Sequence, residues 1–101
     1  MFEVHDPKKH GSVTWFIENA LCVIKAYMPE KYEGRSAEWL SEKLNTNKVF
    51  AMRFLHGDVS MVSLFMAQKI VDLCNDLGVD VLISTLLTRD PAEFKPQDYK
   101  K

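Results

Sequence analysis

Cysteine, glycine and proline are all scarce in this sequence. The chain of 101 residues contains only two cysteines, four glycines and four prolines. This composition excludes collagen-like and low-complexity chains, and a hydrophobic content of 47% excludes intrinsic disorder. Cys22 and Cys74 lie in apolar helical patterns without CxxC spacing, which favours two small buried thiols over a disulfide. We therefore expect one folded domain from a reducing compartment.

The sequence also lacks a long apolar run and an excess of one charge. Charged residues such as Glu18 and Asp72 interrupt the apolar stretches, so none approaches the roughly 20 residues of a membrane span. Residues 1–7 are acidic and polar where a signal peptide would be basic and then apolar, which predicts a cytoplasmic protein without a membrane segment. Thirteen basic and fourteen acidic residues give a net charge of -1. Any binding of nucleic acid must therefore come from a local basic patch.

The sequence motifs of common active sites are missing as well. His5, His10 and His56 lack HExxH spacing, and there is no glycine-rich phosphate loop and no GxSxG elbow. His5, Asp6 and His10 could bind an adventitious metal ion, but solvated histidines are the more common case near a terminus. We expect neither catalysis nor a cofactor.

Apolar periodicity predicts an all-α domain of five helices over residues 12–87. The first helix covers residues 12–28, where apolar side chains recur at i, i+3 and i+4, and it ends before Pro29. Residues 1–11 and the charged, proline-containing residues 88–101 are predicted to be flexible segments on either side of this domain.

The fourth and fifth predicted helices each leave an alternative open. The fourth begins at Ser60 or Ser63 and stops at Gly78. The fifth begins at Asp80, although the β-branched residues between 79 and 85 also permit a strand.

The most informative segment is residues 36–56, where two short helices flank a three-residue polar turn. Ser41 provides the small side chain that a close helix crossing needs, and Asn45 tolerates a left-handed backbone. Asn47 can cap the second of these helices. This arrangement predicts a helix-turn-helix unit. The inward-facing residues of its second helix are expected to be Ala51, Phe54 and Leu55.

Residues 36–57 resemble the lambda-repressor/Cro-like, or Xre-type, DNA-binding domains. The run SAEWLSEKL (36–44) is similar to the family's second helix, Phe54 stands at its bulky aromatic position, and Gly57 matches its Asn-Gly ending. Residues 69–79 resemble its fourth helix and closing Leu-Gly-Val. The resemblance implies a five-helix DNA-binding domain and a transcriptional regulator, most often a repressor of the phage or antitoxin kind.

The sequence departs from the family pattern where family members contact DNA. Ala37 stands where many members have a glutamine, and Thr46 stands where an apolar turn residue is usual. The spacing between Gly57 and Gly78 is also about one helical turn longer than the common pattern.

The exposed face of the predicted third helix provides the candidate DNA-binding residues. Asn47, Lys48 and Arg53 are the polar groups that could read base edges, whereas the apolar Val49 and Met52 could only touch a thymine methyl. Further residues are placed to reach phosphates. These are Arg35, Lys43, Thr46 and His56. Residues 35–57 carry four basic and two acidic side chains, a net charge of +2, whereas residues 58–80 carry one basic and four acidic side chains, a net charge of -3.

Double-stranded DNA is the expected partner, and surplus apolar surface predicts a homodimer. A stripe on the fifth helix would remain wet in a monomer of this size. It consists of Val79, Leu82, Ile83, Leu86 and Leu87. The first helix with Trp15 is the alternative dimer seam. The main rival function is a small helical module that uses its apolar third helix to bind a protein partner.

Overall fold

The computed structural model describes residues 2–3, 13–59 and 61–101, with only the backbone for residues 2–3. These ranges contain five α-helices, two short strands and two 3₁₀ turns. In chain order they are β1 (Phe2–Glu3), α1 (Val13–Tyr27), a 3₁₀ turn (Glu30–Tyr32), α2 (Ser36–Leu44), α3 (Lys48–Leu55), β2 (Met61–Val62), α4 (Leu64–Asp76), α5 (Ile83–Thr88) and a second 3₁₀ turn (Pro96–Tyr99). The predicted all-α class is confirmed. No helix within these ranges combines the length and hydrophobicity needed to cross a bilayer.

Helix α1 provides one wall of the hydrophobic core. It packs against α4 and α5, while α2 packs against α3 and α4. Its exposed face carries Glu18, Cys22 and Lys25, which lie three or four residues apart. The prediction that both cysteines are buried is therefore wrong for Cys22, because this residue belongs to the charged side of the helix.

Cys74 is buried on α4, and burial raises the pKa of its thiol from 9.0 to about 12. Because burial disfavours the thiolate in the folded state, we expect Cys74 ionisation to leave the free energy of unfolding unchanged below pH 9 and to lower it as the pH rises from about 9 towards 12. At about pH 8 a maleimide should modify Cys22 in the folded protein and Cys74 only after denaturation. Mass spectrometry counts the modified thiols. Equal modification of both cysteines in the folded protein would contradict the burial of Cys74.

Helix α4 begins after Ser63, whose hydroxyl accepts a hydrogen bond from the Met66 backbone N–H at 3.0 Å. Of the two predicted starting points, Ser63 is therefore the cap. Leu64, the first residue of the helix, is exposed. Gly78 follows the helix with a φ of 93°, in the left-handed region that its lack of a Cβ permits.

The fifth helix starts later than predicted. Asp80 is not its cap; Leu82 holds that position, and its N–H donates to the Thr85 hydroxyl at 3.2 Å. Before the helix, Val79 forms an isolated antiparallel bridge with Lys100. The strand alternative therefore applies only to one bridging residue, and residues 83–88 are helical.

The apolar stripe assigned to a dimer interface belongs largely to the monomer core. Val79 and Leu86 are completely buried, and α5, which carries Leu86, packs against α1. Ile83 and Leu87 are half-buried against the same core. Leu82 alone is exposed. The sequence pattern correctly indicated burial, but the monomer core already covers Val79 and Leu86, so these two residues are wrong as parts of a dimer interface.

A buried amide fixes α5 to α1. The Asn19 Nδ2 group donates to the backbone oxygens of Leu86 and Arg89, each at 2.9 Å. These carbonyls lie at the C-terminal end of α5, where helix carbonyls have no partner within the helix. Asn19 thus supplies the hydrogen bonds that this short helix cannot make itself.

The C-terminal segment packs on the domain. Phe94 and Pro96 are buried, and the Phe94 ring stacks on Tyr99 with centroids 5.5 Å apart. The Lys100 Nζ donates to the Leu77 backbone oxygen at 3.0 Å, beside the end of α4. This packing contradicts the flexible tail predicted over residues 88–101, and the domain extends beyond residue 87.

The predicted flexible segment over residues 1–11 lies mostly outside the described residues. So does the candidate metal site of His5, Asp6 and His10. Within this segment the structure describes only the backbone of Phe2–Glu3, which pairs antiparallel with Met61–Val62.

Candidate nucleic-acid interface

The turn between α2 and α3 has the backbone geometry that the sequence predicts. Asn45 follows the last residue of α2 with a φ of 51°, a left-handed conformation that asparagine tolerates. The Thr46 N–H donates to the Ser41 backbone oxygen at 2.9 Å and closes the helix end. Ser41 is buried, and its hydroxyl donates to the Glu38 oxygen at 2.8 Å. Its small side chain lets α3 pack closely on α2.

Helix α3 is seated on the core through one face. Asn47 caps it, with the side-chain Oδ1 accepting from the Phe50 N–H at 2.8 Å. Ala51 and Phe54 are completely buried, and the half-buried Phe50 ring stacks on Phe54 at 6.1 Å. Gly57 ends the segment with a φ of 72°. The predicted cap, inner face and stop of this helix are confirmed, except that Leu55 is only half-buried.

The opposite face of α3 is exposed and brings four of the candidate residues together. Lys48, Val49, Met52 and Arg53 occupy adjacent positions on two successive turns, as the i, i+1, i+4, i+5 spacing requires. Val49 is 65% exposed and Met52 is 49% exposed. The Arg53 side chain is 62% exposed. We call these four residues the α3 face.

Arg53 has a weak acidic neighbour. Its Nε lies 3.8 Å from the Asp58 Oδ2, and both side chains are exposed to solvent. Such an ion pair contributes little to stability, so the guanidinium can exchange Asp58 for another acceptor. A groove of about 330 Å³ runs beside this pair, bordered by Val49, Val59 and Met61.

Asn47 is both the cap of α3 and a candidate base reader. Bidentate recognition of adenine needs both the oxygen and the nitrogen of the amide. The Asn47 oxygen already accepts the capping hydrogen bond from Phe50. An amide oxygen has two lone pairs, so Asn47 keeps one acceptor position and its NH₂ group, and its role as a base reader stays a prediction. Lys43 is exposed and Thr46 is half-buried at the turn, next to the α3 face.

Arg35 and His56 lie at the two edges of the unit. Arg35 stands at the start of α2, donates from Nη2 to the Lys31 backbone oxygen at 3.1 Å, and lies over the Tyr32 ring at 5.5 Å. His56 follows the last residue of α3 and borders a cavity shared with Glu18 of α1. Arg35 thus lies at the N-terminal end of α2, whereas His56 lies one turn after Met52, at the C-terminal end of α3.

Two basic residues near the turn and the α2 start were not predicted from the sequence. Lys31 lies over the Tyr32 ring at 5.2 Å, beside Arg35. Lys69 of α4 donates from Nζ to the Leu44 oxygen at 3.1 Å and lies 4.6 Å from the Phe65 ring centroid. Lys31 sits in an irregular charged segment without periodicity, so no sequence pattern placed it. The position of Lys69 depends on how α4 packs on α2.

Neither metal-ligating residues nor similarity to known proteins adds a functional assignment. In residues 13–59 and 61–101 no three His, Cys, Asp or Glu side chains converge to hold a metal ion. Comparison with protein families, with curated proteins and with solved structures finds no match for this chain.

Proposed function

We propose that the protein is a sequence-specific DNA-binding transcriptional regulator with α3 as its recognition helix. One observation carries the proposal: α3, held by buried Ala51 and Phe54 after a tight left-handed turn, exposes Lys48 and Arg53 on one face. An α-helix that exposes cations on one face can enter the major groove of B-DNA and bind base edges there. The resemblance of residues 36–57 to lambda-repressor-like domains supports the same interpretation, with α2 and α3 as a helix-turn-helix unit.

The basic side chains have different proposed roles, which depend on where they lie in the helix-turn-helix unit. Arg53 presents a planar guanidinium that can bind guanine O6 and N7, the most common specific contact in the major groove. We expect Lys43, near the end of α2, and Lys31 with Arg35, just before α2, to contact phosphates. Such contacts orient a domain on the duplex without reading its sequence.

Arg53→Ala and Lys48→Ala should weaken DNA binding without unfolding the domain, because neither side chain is part of the core. The preferred duplex is first selected from a random library with the wild-type protein, and fluorescence anisotropy then gives each affinity. Losing a base contact should weaken binding by roughly 5- to 150-fold and relax the preference at one base pair. Losing a phosphate contact should weaken binding to all duplexes alike.

Lys25→Ala is the matched control, since Lys25 is an exposed lysine near the C-terminal end of α1. It should bind DNA as the wild type does. Wild-type affinity in both Arg53→Ala and Lys48→Ala, with unchanged melting temperatures, would remove α3 from the DNA interface.

A protein partner is the second candidate function, and one observation favours it. Met61, Leu64 and Phe65 are exposed apolar side chains outside α3. Such residues are typical of surfaces that bind other proteins. A protein-binding module would not require phosphate contacts, so the salt dependence of DNA binding separates the two functions.

The homodimer stays a prediction, but part of the interface predicted for it is not exposed. Val79 and Leu86 are completely buried in the monomer. The remaining sequence-based candidate is α1 with Trp15, which is half-buried. Two-fold symmetry would place two recognition helices about 34 Å apart on a palindromic site.

A further inference from the structure

Exposed large apolar side chains are concentrated in one part of the described chain. Apart from Leu82, those in the described ranges lie between residues 49 and 65. Two of them, Val49 and Met52, are on α3. They occupy the helix that the proposed function places in the major groove, so their chemistry bears on which DNA sequence is bound.

Cations flank these two apolar residues directly. Lys48 precedes Val49 and Arg53 follows Met52 on the same exposed face. Methionine and arginine are common in protein–protein interfaces, but lysine is depleted there, so Lys48 beside the apolar pair favours a duplex over a protein groove. Lys48 and Arg53 can bind phosphates and base acceptors. Val49 and Met52, which lie between them, need an apolar group of the DNA to contact.

Thymine supplies that feature. Its C5-methyl is the apolar group that the four ordinary bases present in the major groove. Val49 and Met52 are three residues apart, which places their Cβ atoms about 5 to 6 Å from each other. This separation lies between one and two base-pair steps of about 3.4 Å. Phe50 is excluded from this role because its ring is half-buried and stacks on Phe54.

We propose that Val49 and Met52 determine specificity by contacting thymine methyl groups at two positions within two base-pair steps. This inference rests on the proposed DNA-binding function. The β-branched Val49 side chain is stiff and loses little freedom on contact, whereas the flexible Met52 thioether adapts to the neighbouring methyl.

The test removes the methyl groups and nothing else. Affinities of the wild-type protein are measured at about 50 mM salt for poly(dA-dT) and for poly(dA-dU), in which uracil lacks the C5-methyl. Each lost methyl contact should weaken binding about fourfold, as expected for burial of one methyl group. The pair poly(dG-dC) and poly(dG-5-methyl-dC) adds a methyl at the same groove position and should show the opposite change.

Two variants test whether Val49 and Met52 cause the difference in affinity between poly(dA-dT) and poly(dA-dU). In the double variant Val49→Ala/Met52→Ala the two polymers should bind equally, whereas Met61→Ala, which removes an exposed apolar side chain outside α3, should keep the wild-type ratio. Melting temperatures confirm that each variant is folded.

Equal wild-type affinity for poly(dA-dT) and poly(dA-dU) would overturn this inference and leave DNA binding intact. A ratio that persists in the double variant would also overturn it. No binding to any duplex would overturn the proposed function itself.

Discussion

Phe54→Ala should lower the free energy of unfolding by about 3 to 5 kcal/mol. The Phe54 ring is completely buried and joins α3 to the core, together with Ala51. Truncation removes the largest buried side chain of α3 and leaves a cavity that the short helix cannot fill, because its neighbours belong to separate helices. The loss is a large fraction of the roughly 5 to 15 kcal/mol that stabilises a typical domain. Urea titration followed by circular dichroism measures it.

Phe50→Ala is the control for Phe54. It removes the same ring from the same helix, but Phe50 is only half-buried and stacks on Phe54 from the outside. Its effect on the free energy of unfolding should be clearly smaller. If the two variants unfolded at the same urea concentration, the register of α3 on the core would be wrong.

Leu86→Glu should prevent stable folding of the monomer. Leu86 is completely buried where α5 packs on α1. Loss of a buried leucine side chain alone destabilises by about 2 to 5 kcal/mol, and an unpaired buried carboxylate adds a penalty of several kcal/mol. A displaced α5 would also withdraw the Leu86 carbonyl from Asn19 Nδ2. Circular dichroism at about 25 °C should show a largely unfolded chain, since the sum matches the whole stability of a small domain.

Leu82→Glu provides the matched comparison, because Leu82 lies in the same segment and is 66% exposed. This variant should fold with nearly the wild-type melting temperature. Light scattering on both variants tests the dimer interface that the sequence predicts for this stripe. A folded, monomeric Leu86→Glu variant from a dimeric wild type would restore the dimer interface over Val79–Leu87 and contradict the observed packing.

The features predicted correctly from the sequence depend on local geometry. The Asn47 cap, the left-handed Asn45 and the buried Phe54 each follow from interactions within a few residues of the chain. Such interactions can be read from residue types and spacing, because a cap or a turn carries its partners with it. The exposed α3 face follows from them, since the buried face leaves Lys48 and Arg53 on the other side.

Two incorrect predictions are local, namely the Asp80 cap and the burial of Cys22, and the others concern partners that are distant in sequence. The apolar stripe with Val79 and Leu86 correctly indicated burial, but periodicity cannot say whether α1 or another copy covers it. The same limit applies to Phe94, a single apolar residue among charged neighbours that is buried by the rest of the domain. Asn19 bonds with a carbonyl 67 residues away, and no spacing rule predicts that contact.

The candidate site was predictable in composition but only partly in geometry. Lys48, Val49, Met52 and Arg53 were grouped correctly because a single helix carries them. The sequence predicts Asn47 both as a cap and as a base reader, and the structure shows that the cap uses the amide oxygen. Lys31 joins the site only through Tyr32, whose packing with Arg35 is a tertiary feature.

The salt dependence of binding to a random-sequence duplex tests the central claim most directly. Each phosphate contact contributes about -0.9 to the slope of log affinity against log salt, and Lys31, Arg35, Lys43 and Lys48 are the candidates. If two to four of them contact phosphates, the slope between about 50 and 200 mM salt should be roughly -2 to -4, and Lys43→Ala should make it shallower by about 0.9. Affinity that does not change with salt, or no binding to duplex at low salt, would contradict DNA binding by this face.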